Sequence, residues 1–361
     1  MRKWSTANKV FIVIWLREVP KVDKKKLTEY LVYGVILGSV LFSRSSGPTF
    51  ETYHTSNETI KQGGVKYVEI TTPKGKFQVY TKRIGNNPRI KVLLLHGGPG
   101  GDHQFFLPLE SYLPKEGIEF IYYDQLGSGK SDRPTDLSLW DLPRFVEEVE
   151  QVRIALGLDS SNFYLLGHSW GGILASEYAL KYQKNLKGLI ISNMMMSIPD
   201  YVKYANEVLG PQMPPEVLKQ IKDYERRKDF ENPKYMALVM EHYYTKHLYR
   251  APIQEWPGIL LRIFNEINRQ IYVHMQGPSE FGVPPEATLY SWDRKADLPK
   301  IAVPTLVIGS TYDTMDPQHM EWVSKQVQKG FYKQTNGGHA AMWDDQKAYA
   351  DALIWYLKRS H

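Results

Sequence analysis

From about residue 89 onward, short apolar runs alternate with polar stretches of helical period. Ile90–Leu95, Phe120–Tyr123, Phe163–Leu166, Leu189–Ile191 and Thr305–Ile308 are continuous apolar runs, the pattern of strands buried on both faces. Pro143–Leu156 spaces Phe145, Val149, Val152 and Leu156 along one helical face, and Ala348–Leu357 has the same period. Before them, Val65–Ile70 and Lys76–Arg83 alternate polar and apolar residues around Thr72-Pro73-Lys74-Gly75, which predicts a β-hairpin. Strands alternating with helices predict an α/β chain with a mostly parallel central sheet and helices on both faces.

The rhythm breaks between Met194 and Asp297. This stretch is rich in Tyr, Met, Pro and His, and its periodicity predicts helices over Glu216–Arg227, Pro233–His247 and Pro252–Met275. It reads as a helical cap inserted between the sixth and seventh core strands. Such a cap lies over the strand C-termini, where open α/β sheets bind ligands. The expected organisation is a leader over 1–46, a first core part over 47–193, the cap over 194–297 and a second core part over 298–361. The cap aromatics Tyr201, Tyr204, Tyr243, Tyr244, Trp256 and Phe264 are expected in its core, with some lining a pocket.

Composition narrows the classes. With 361 residues, 42% hydrophobic and 23% charged, the chain is long enough for one large core and an insertion. The net charge of +6 comes partly from leader lysines and arginines, and no basic stripe interleaved with aromatics follows, so no nucleic-acid partner is expected. The absence of cysteine excludes disulfides, thiolate metal sites and a cysteine nucleophile. In the leader, Lys24-Lys25-Lys26 precedes the mostly apolar Leu27–Phe42, which ends in Ser43-Arg44-Ser45-Ser46-Gly47. That is the layout of a secretory signal, and its apolar core is short of the about 20 residues of a membrane span. The expectation is export to the periplasm or medium, or membrane association through the N-terminus; if the segment is only a tail, the chain is cytoplasmic.

Gly167-His168-Ser169-Trp170-Gly171 joins a strand to a helix and fits G-x-S-x-G, the nucleophile elbow of the α/β-hydrolase fold. A serine hydroxyl needs a base, and the base an orienting carboxylate; in this fold they follow in the order Ser, Asp or Glu, His. The strand Val303–Gly309 runs into Ser310-Thr311-Tyr312-Asp313-Thr314-Met315-Asp316, so Asp313 is the first choice for the acid and Asp316 the second. His339, after Asn336-Gly337-Gly338, is the base. The oxyanion donors are read as the amide of Trp170, just after the nucleophile, and that of Gly98 in His96-Gly97-Gly98-Pro99-Gly100-Gly101, just after a strand. His96 and His168 are read as structural, and Asp344 and Asp345 as caps of the final helix. No metal-ligand spacing is visible, and the chemistry needs no cofactor.

His96-Gly97-Gly98-Pro99-Gly100, Asp124-Gln125-x-Gly127-x-Gly129-x-Ser131 and Gly167-His168-Ser169-Trp170-Gly171-Gly172 together resemble the proline iminopeptidase (prolyl aminopeptidase) family over roughly residues 60–358. So do Gly277-Pro278-Ser279-Glu280-Phe281 and Asn336-Gly337-Gly338-His339 with Trp343-Asp344-Asp345. The resemblance implies a serine aminopeptidase acting on small peptides or aminoacyl amides with proline preferred. Its nucleophile would be Ser169, its acid Asp313, its base His339, its oxyanion donors Gly98 and Trp170, and its amine-binding glutamate Glu280. A carboxylate at a fixed turn can grip a cationic N-terminus by a charge-assisted hydrogen bond. One departure stands out: related archaeal enzymes place a second amine-binding glutamate directly after the catalytic aspartate, where this chain has Thr314. An amino-acid amidase or esterase of the same fold is the alternative, and a non-catalytic binding protein the rival from another class.

Overall fold

The computed structural model describes residues 64–359; the leader lies outside the described residues. Eight strands form one sheet in the order β1-β2-β4-β3-β5-β6-β7-β8. β1 (Val65–Thr72) and β2 (Gly75–Ile84) are the antiparallel hairpin, and β2 pairs antiparallel with β4 (Glu119–Tyr123). The rest is parallel: β3 (Lys91–Leu95), β5 (Phe163–His168), β6 (Gly188–Ser192), β7 (Thr305–Ser310) and β8 (Gly330–Thr335).

Every residue of β3, β4, β5, β6 and β7 is buried, as the unbroken apolar runs require. Alternate side chains feed opposite faces. Leu93, Leu95, Ile121 and Tyr123 pack with Phe145, Val149 and Val152 of the helix Leu142–Ala155 and with Ile173 and Leu174 of the helix Trp170–Tyr182. Val92, Leu94, Phe120 and Tyr122 join the other core, with Tyr349, Leu353 and Tyr356 of the helix Gln346–Leu357. The register places Leu95 beside Gly167, Gly167 beside Ile191, Ser192 beside Ile308 and Ser310 beside Thr335. β4 also runs parallel to β3, with Tyr123 beside Leu95, so the C-terminal ends of six parallel strands share one rim.

Between β6 and β7 the chain leaves the sheet and forms helices. An isolated bridge, Ser197 with Asp293, joins the two ends of this excursion, reinforced by the Ser197 hydroxyl donating to Asp293 at 2.9 Å. The helix Pro215–Arg226 lies where periodicity puts it. Two other expectations are corrected. The single helix expected over Pro233–His247 is α-helical over Pro233–Val239, widens to a π-turn over Met240–Tyr244 and ends in one α-turn, Thr245–His247. The single helix expected over Pro252–Met275 is broken into Ile253–Glu255, Gly258–Glu266 and Arg269–Met275. Pro257 restarts the chain at one break, and at the other the Asn268 side chain caps the new helix, accepting from the amides of Gln270 and Ile271. A further helix, Ile198–Tyr204, was not anticipated; it starts at Ser197, whose side chain accepts from the Asp200 amide.

Candidate active site

The elbow forms because two glycines allow backbone to approach backbone. A Cβ on Gly167 would stand 1.9 Å from the Gly171 carbonyl oxygen, and one on Gly171 would stand 2.1 Å from that of Leu95. Ser169 itself is held at φ 55°, rare for a residue with a side chain. Its amide donates to the Ser192 carbonyl at 3.0 Å, and the helix Trp170–Tyr182 begins at the next residue. The hydroxyl therefore sits at a helix N-terminus, where partial positive charge favours a developing anion.

Ser169 and His339 line one cavity of 290 Å³ with Gly97, Gly98, Phe105 and Glu280. Asp313 lies behind the histidine, 2.7 Å from its Nδ1. This contact puts the ring proton on Nδ1, because an ionised carboxylate only accepts, and leaves Nε2 as the basic nitrogen. No hydrogen bond joins Ser169 to the His339 ring among the described residues; such contacts tighten when substrate binds. Burial works against the imidazolium, but the charge and hydrogen bond of Asp313, with the charge of Glu280, hold the pKa of His339 above its ordinary value. Asp316, the second choice for the acid, instead caps the helix Pro317–Gln326, accepting from the Gln318 amide at 2.9 Å.

The histidine loop is fixed from several sides. The His339 amide donates to the His247 carbonyl at 2.7 Å, and the Ala340 amide to that of Leu248 at 2.8 Å. Asp344 accepts from the Gly338 amide at 3.0 Å, and Asp345 from the Asn336 amide at 2.7 Å. This corrects the reading of these two acids as helix caps: neither side chain caps the helix Gln346–Leu357, and both hold the loop before it. His168 is buried and neutral, its pKa driven well down by burial, and its Nε2 donates to the His339 carbonyl at 2.9 Å. His96 is likewise lowered by burial. Its Nε2 accepts from the Gln125 amide at 3.1 Å, and Gln125 in turn accepts from the indole of Trp170 at 2.8 Å.

Neither the Gly98 amide nor the Trp170 amide donates a hydrogen bond within the protein among the described residues. Both stay free for an oxyanion. Glu280 is 7% exposed and reaches the same cavity from the excursion. Its Oε1 accepts from the Tyr272 hydroxyl at 2.6 Å, its amide donates to the Tyr244 hydroxyl at 3.0 Å, and Tyr201 donates to its carbonyl. It forms no salt bridge among the described residues. Thr314 is buried against Asp313, its hydroxyl 3.3 Å from Oδ1, and does not line the cavity. Of the cap aromatics expected mainly in the core, Tyr201, Tyr243 and Trp256 are buried away from the cavity, whereas Tyr244 and Phe264 line it.

Sequence reasoning missed Asn193, His247 and Tyr272. Asn193 donates to Asp313 Oδ2 at 2.6 Å, and the His247 ring meets the Tyr312 carbonyl at 3.1 Å. The only signal for Asn193 was a polar pair, Ser192-Asn193, closing a buried strand; for the other two there was none. No group of residues able to hold a metal is found among the described residues.

A family described by the alpha/beta hydrolase fold matches residues 91–346. The proline iminopeptidase of Elizabethkingia meningoseptica is 56% identical over 292 residues, covering 81% of this chain and 97% of the relative. That of Chitinophaga pinensis is 52% identical over 292 residues, with coverage of 81% and 97%. Among solved structures, VinJ superposes with a TM-score of 0.74 at 27% identity, covering 81% of this chain and 98% of its own. The chain belongs to the proline iminopeptidase family of α/β hydrolases.

Proposed function

We propose that this chain is a serine aminopeptidase that releases an N-terminal residue, proline preferred, from small peptides. The observation that carries this reading is Glu280, a buried carboxylate with no cationic partner among the described residues, in the same cavity as Ser169 and His339. A protonated N-terminus would supply the missing cation through a charge-assisted hydrogen bond. The apolar wall of Phe105, Ile263 and Phe264 suits a pyrrolidine ring.

In the reaction, His339 Nε2 takes the proton of Ser169 as Oγ bonds to the carbonyl carbon of the first residue. The resulting oxyanion faces the amides of Gly98 and Trp170, each such donor contributing about 2.7–4 kcal/mol to the transition state. Asp313 stabilises the imidazolium without taking its proton. His339 then protonates the leaving nitrogen as the C–N bond breaks; water, deprotonated by the same His339 nitrogen, bonds to the acyl carbon, and the proton returns to Ser169 Oγ as the C–Oγ bond breaks and the free acid leaves.

Hydrolysis of prolyl arylamide, with and without N-acetylation, tests the reading. Rapid turnover of the free amine and none of the acetylated substrate is expected; equal rates would overturn N-terminal recognition and favour the amidase or esterase alternative. The basic and apolar leader supports export or anchoring at the N-terminus, which cell fractionation of the full chain would test.

A further inference from the structure

Asn193 follows the last residue of β6 and lies wholly inside the protein, at φ 52°. Left-handed backbone is unusual for a residue with a side chain, and asparagine is among the few that tolerate it. Here it turns the side chain back along the strand ends. Nδ2 donates to Asp313 Oδ2 at 2.6 Å and to Ser310 Oγ at 2.7 Å. Oδ1 accepts from Ser192 Oγ at 2.7 Å, and Ser192 meets the hydroxyl of Tyr349 at 2.8 Å. The assignment of nitrogen and oxygen is forced, because an ionised carboxylate offers no proton to an amide oxygen. The backbone is pinned too: the Asn193 amide donates to the Ile308 carbonyl at 2.9 Å.

Asp313 thus has its two oxygens divided. Oδ1 faces the His339 ring at 2.7 Å and also accepts from the Met315 amide at 3.1 Å. Oδ2 faces Asn193. A carboxylate held at one oxygen can rotate; held at both, it presents a fixed lone pair to Nδ1. We propose that Asn193 is a positioning residue for the catalytic acid, fixing the rotation of the Asp313 carboxylate and drawing charge from its far oxygen. The inference rests on the triad reading above. The same strand end also holds the nucleophile, since the Ser192 carbonyl accepts from the Ser169 amide. One dipeptide therefore sets both the backbone of the serine and the carboxylate of the acid. The charged or titratable groups around the His339–Asp313 pair are Glu280, Tyr201, Tyr204 and Tyr243 from the excursion, His247 from its turn Thr245–His247, His168 from β5 and Tyr332 from β8.

The test uses the full chain and prolyl arylamide. Asn193→Gly keeps the left-handed backbone and removes the donor. We expect kcat to fall about 10- to 100-fold with little change in KM. The acid limb of the pH profile of kcat/KM should move to higher pH, because a less compensated carboxylate favours the imidazolium. Asn193→Asp keeps the size but sets an acceptor against an acceptor, and should lose at least as much kcat. Ser310→Ala breaks the same network away from Asp313 and should lower Tm without moving the limb. A limb that stays in place in both Asn193 variants overturns the proposal, as does an equal shift in Ser310→Ala. Asp313→Asn separates the two readings: if it retains full activity the triad assignment itself fails, whereas if it is inactive and the Asn193 variants behave as wild type, only the role of Asn193 fails.

Discussion

The hydroxyl of Tyr272 donates to Oε1 of Glu280 at 2.6 Å. Burial and the neighbouring carboxylate push the pKa of Tyr272 well above the ordinary phenol, so it stays a donor at any working pH. The tyrosine holds one oxygen of Glu280 in place within the cavity. Tyr272→Phe removes that donor without changing the ring. A rise of about tenfold in KM for prolyl arylamide is expected, the size of one hydrogen bond to a charged group. Steady-state kinetics with kcat and KM separated would check it.

Glu280→Gln keeps the shape and deletes the charge. For a free prolyl amine, kcat/KM should fall by about 10- to 100-fold, the worth of a charge-assisted hydrogen bond. For a neutral ester of similar size it should fall far less. A similar loss on both substrates would mean that Glu280 serves the fold rather than the amine.

The same substitution has a second signature in pH. On the proposed mechanism His339 must be neutral to act as base, so kcat/KM should drop as pH falls through its pKa. That pKa is raised, with Glu280 among the charges that raise it, so the acid limb should lie above the ordinary value of about 6.5. Removing the Glu280 charge should move the limb to lower pH, the direction opposite to that expected for Asn193→Gly. A bound ammonium group offsets Glu280 in the same way, so the limb in kcat should lie below that in kcat/KM. Profiles of both constants over the same buffers would settle the sign.

Ser169→Ala should abolish turnover and labelling by a fluorophosphonate. Asp313→Asn should leave the serine in place but lower kcat by about 10⁴-fold, since the neutral amide no longer fixes the reactive tautomer. Mass spectrometry of the labelled chain measures the first, and burst kinetics the second.

Asn268 fastens the excursion between β6 and β7 to the loops at Gly100 and Gly127. Its amide donates to the Gly100 carbonyl at 2.8 Å, and its side chain to that of Gly127 at 2.8 Å. Gly100 has φ +85°, and a Cβ there would stand 2.8 Å from the Asn268 carbonyl oxygen. Gly100→Ala should therefore destabilise the protein by about 1–3 kcal/mol and lower kcat, by strain and by displacement of the neighbouring Gly98. Thermal unfolding and kinetics on the same preparation would test both effects.

Much of the core was legible because its cause is local. A strand buried on both faces has to be apolar throughout, and Leu93–Leu95 and Leu165–Leu166 state that directly. The elbow was legible because only glycine fits where Gly167 and Gly171 meet backbone. The cap was harder. The apolar period of Pro252–Met275 continues through Pro257 and Asn268; Pro257 makes one break, and at the other Asn268 docks to Gly100 and Gly127, which lie far back in the chain. Asp344 and Asp345 misled for a related reason: acids ahead of a helix look like caps, and only the folded loop shows them serving Gly338 and Asn336. Asn193 was marked only as a polar residue closing a buried strand, because its partner is 120 positions away in the chain.

The bond from the His339 amide to the His247 carbonyl has an evolutionary consequence. The segment that lines the cavity through Met240, Tyr244 and Leu248 is also the one from which the His339 loop hangs. Substitutions that re-tune selectivity near position 247 would disturb turnover at the same time. Ile263 and Phe264 line the same cavity without a backbone bond to the His339 loop among the described residues, so a change of shape there leaves that loop's anchorage in place.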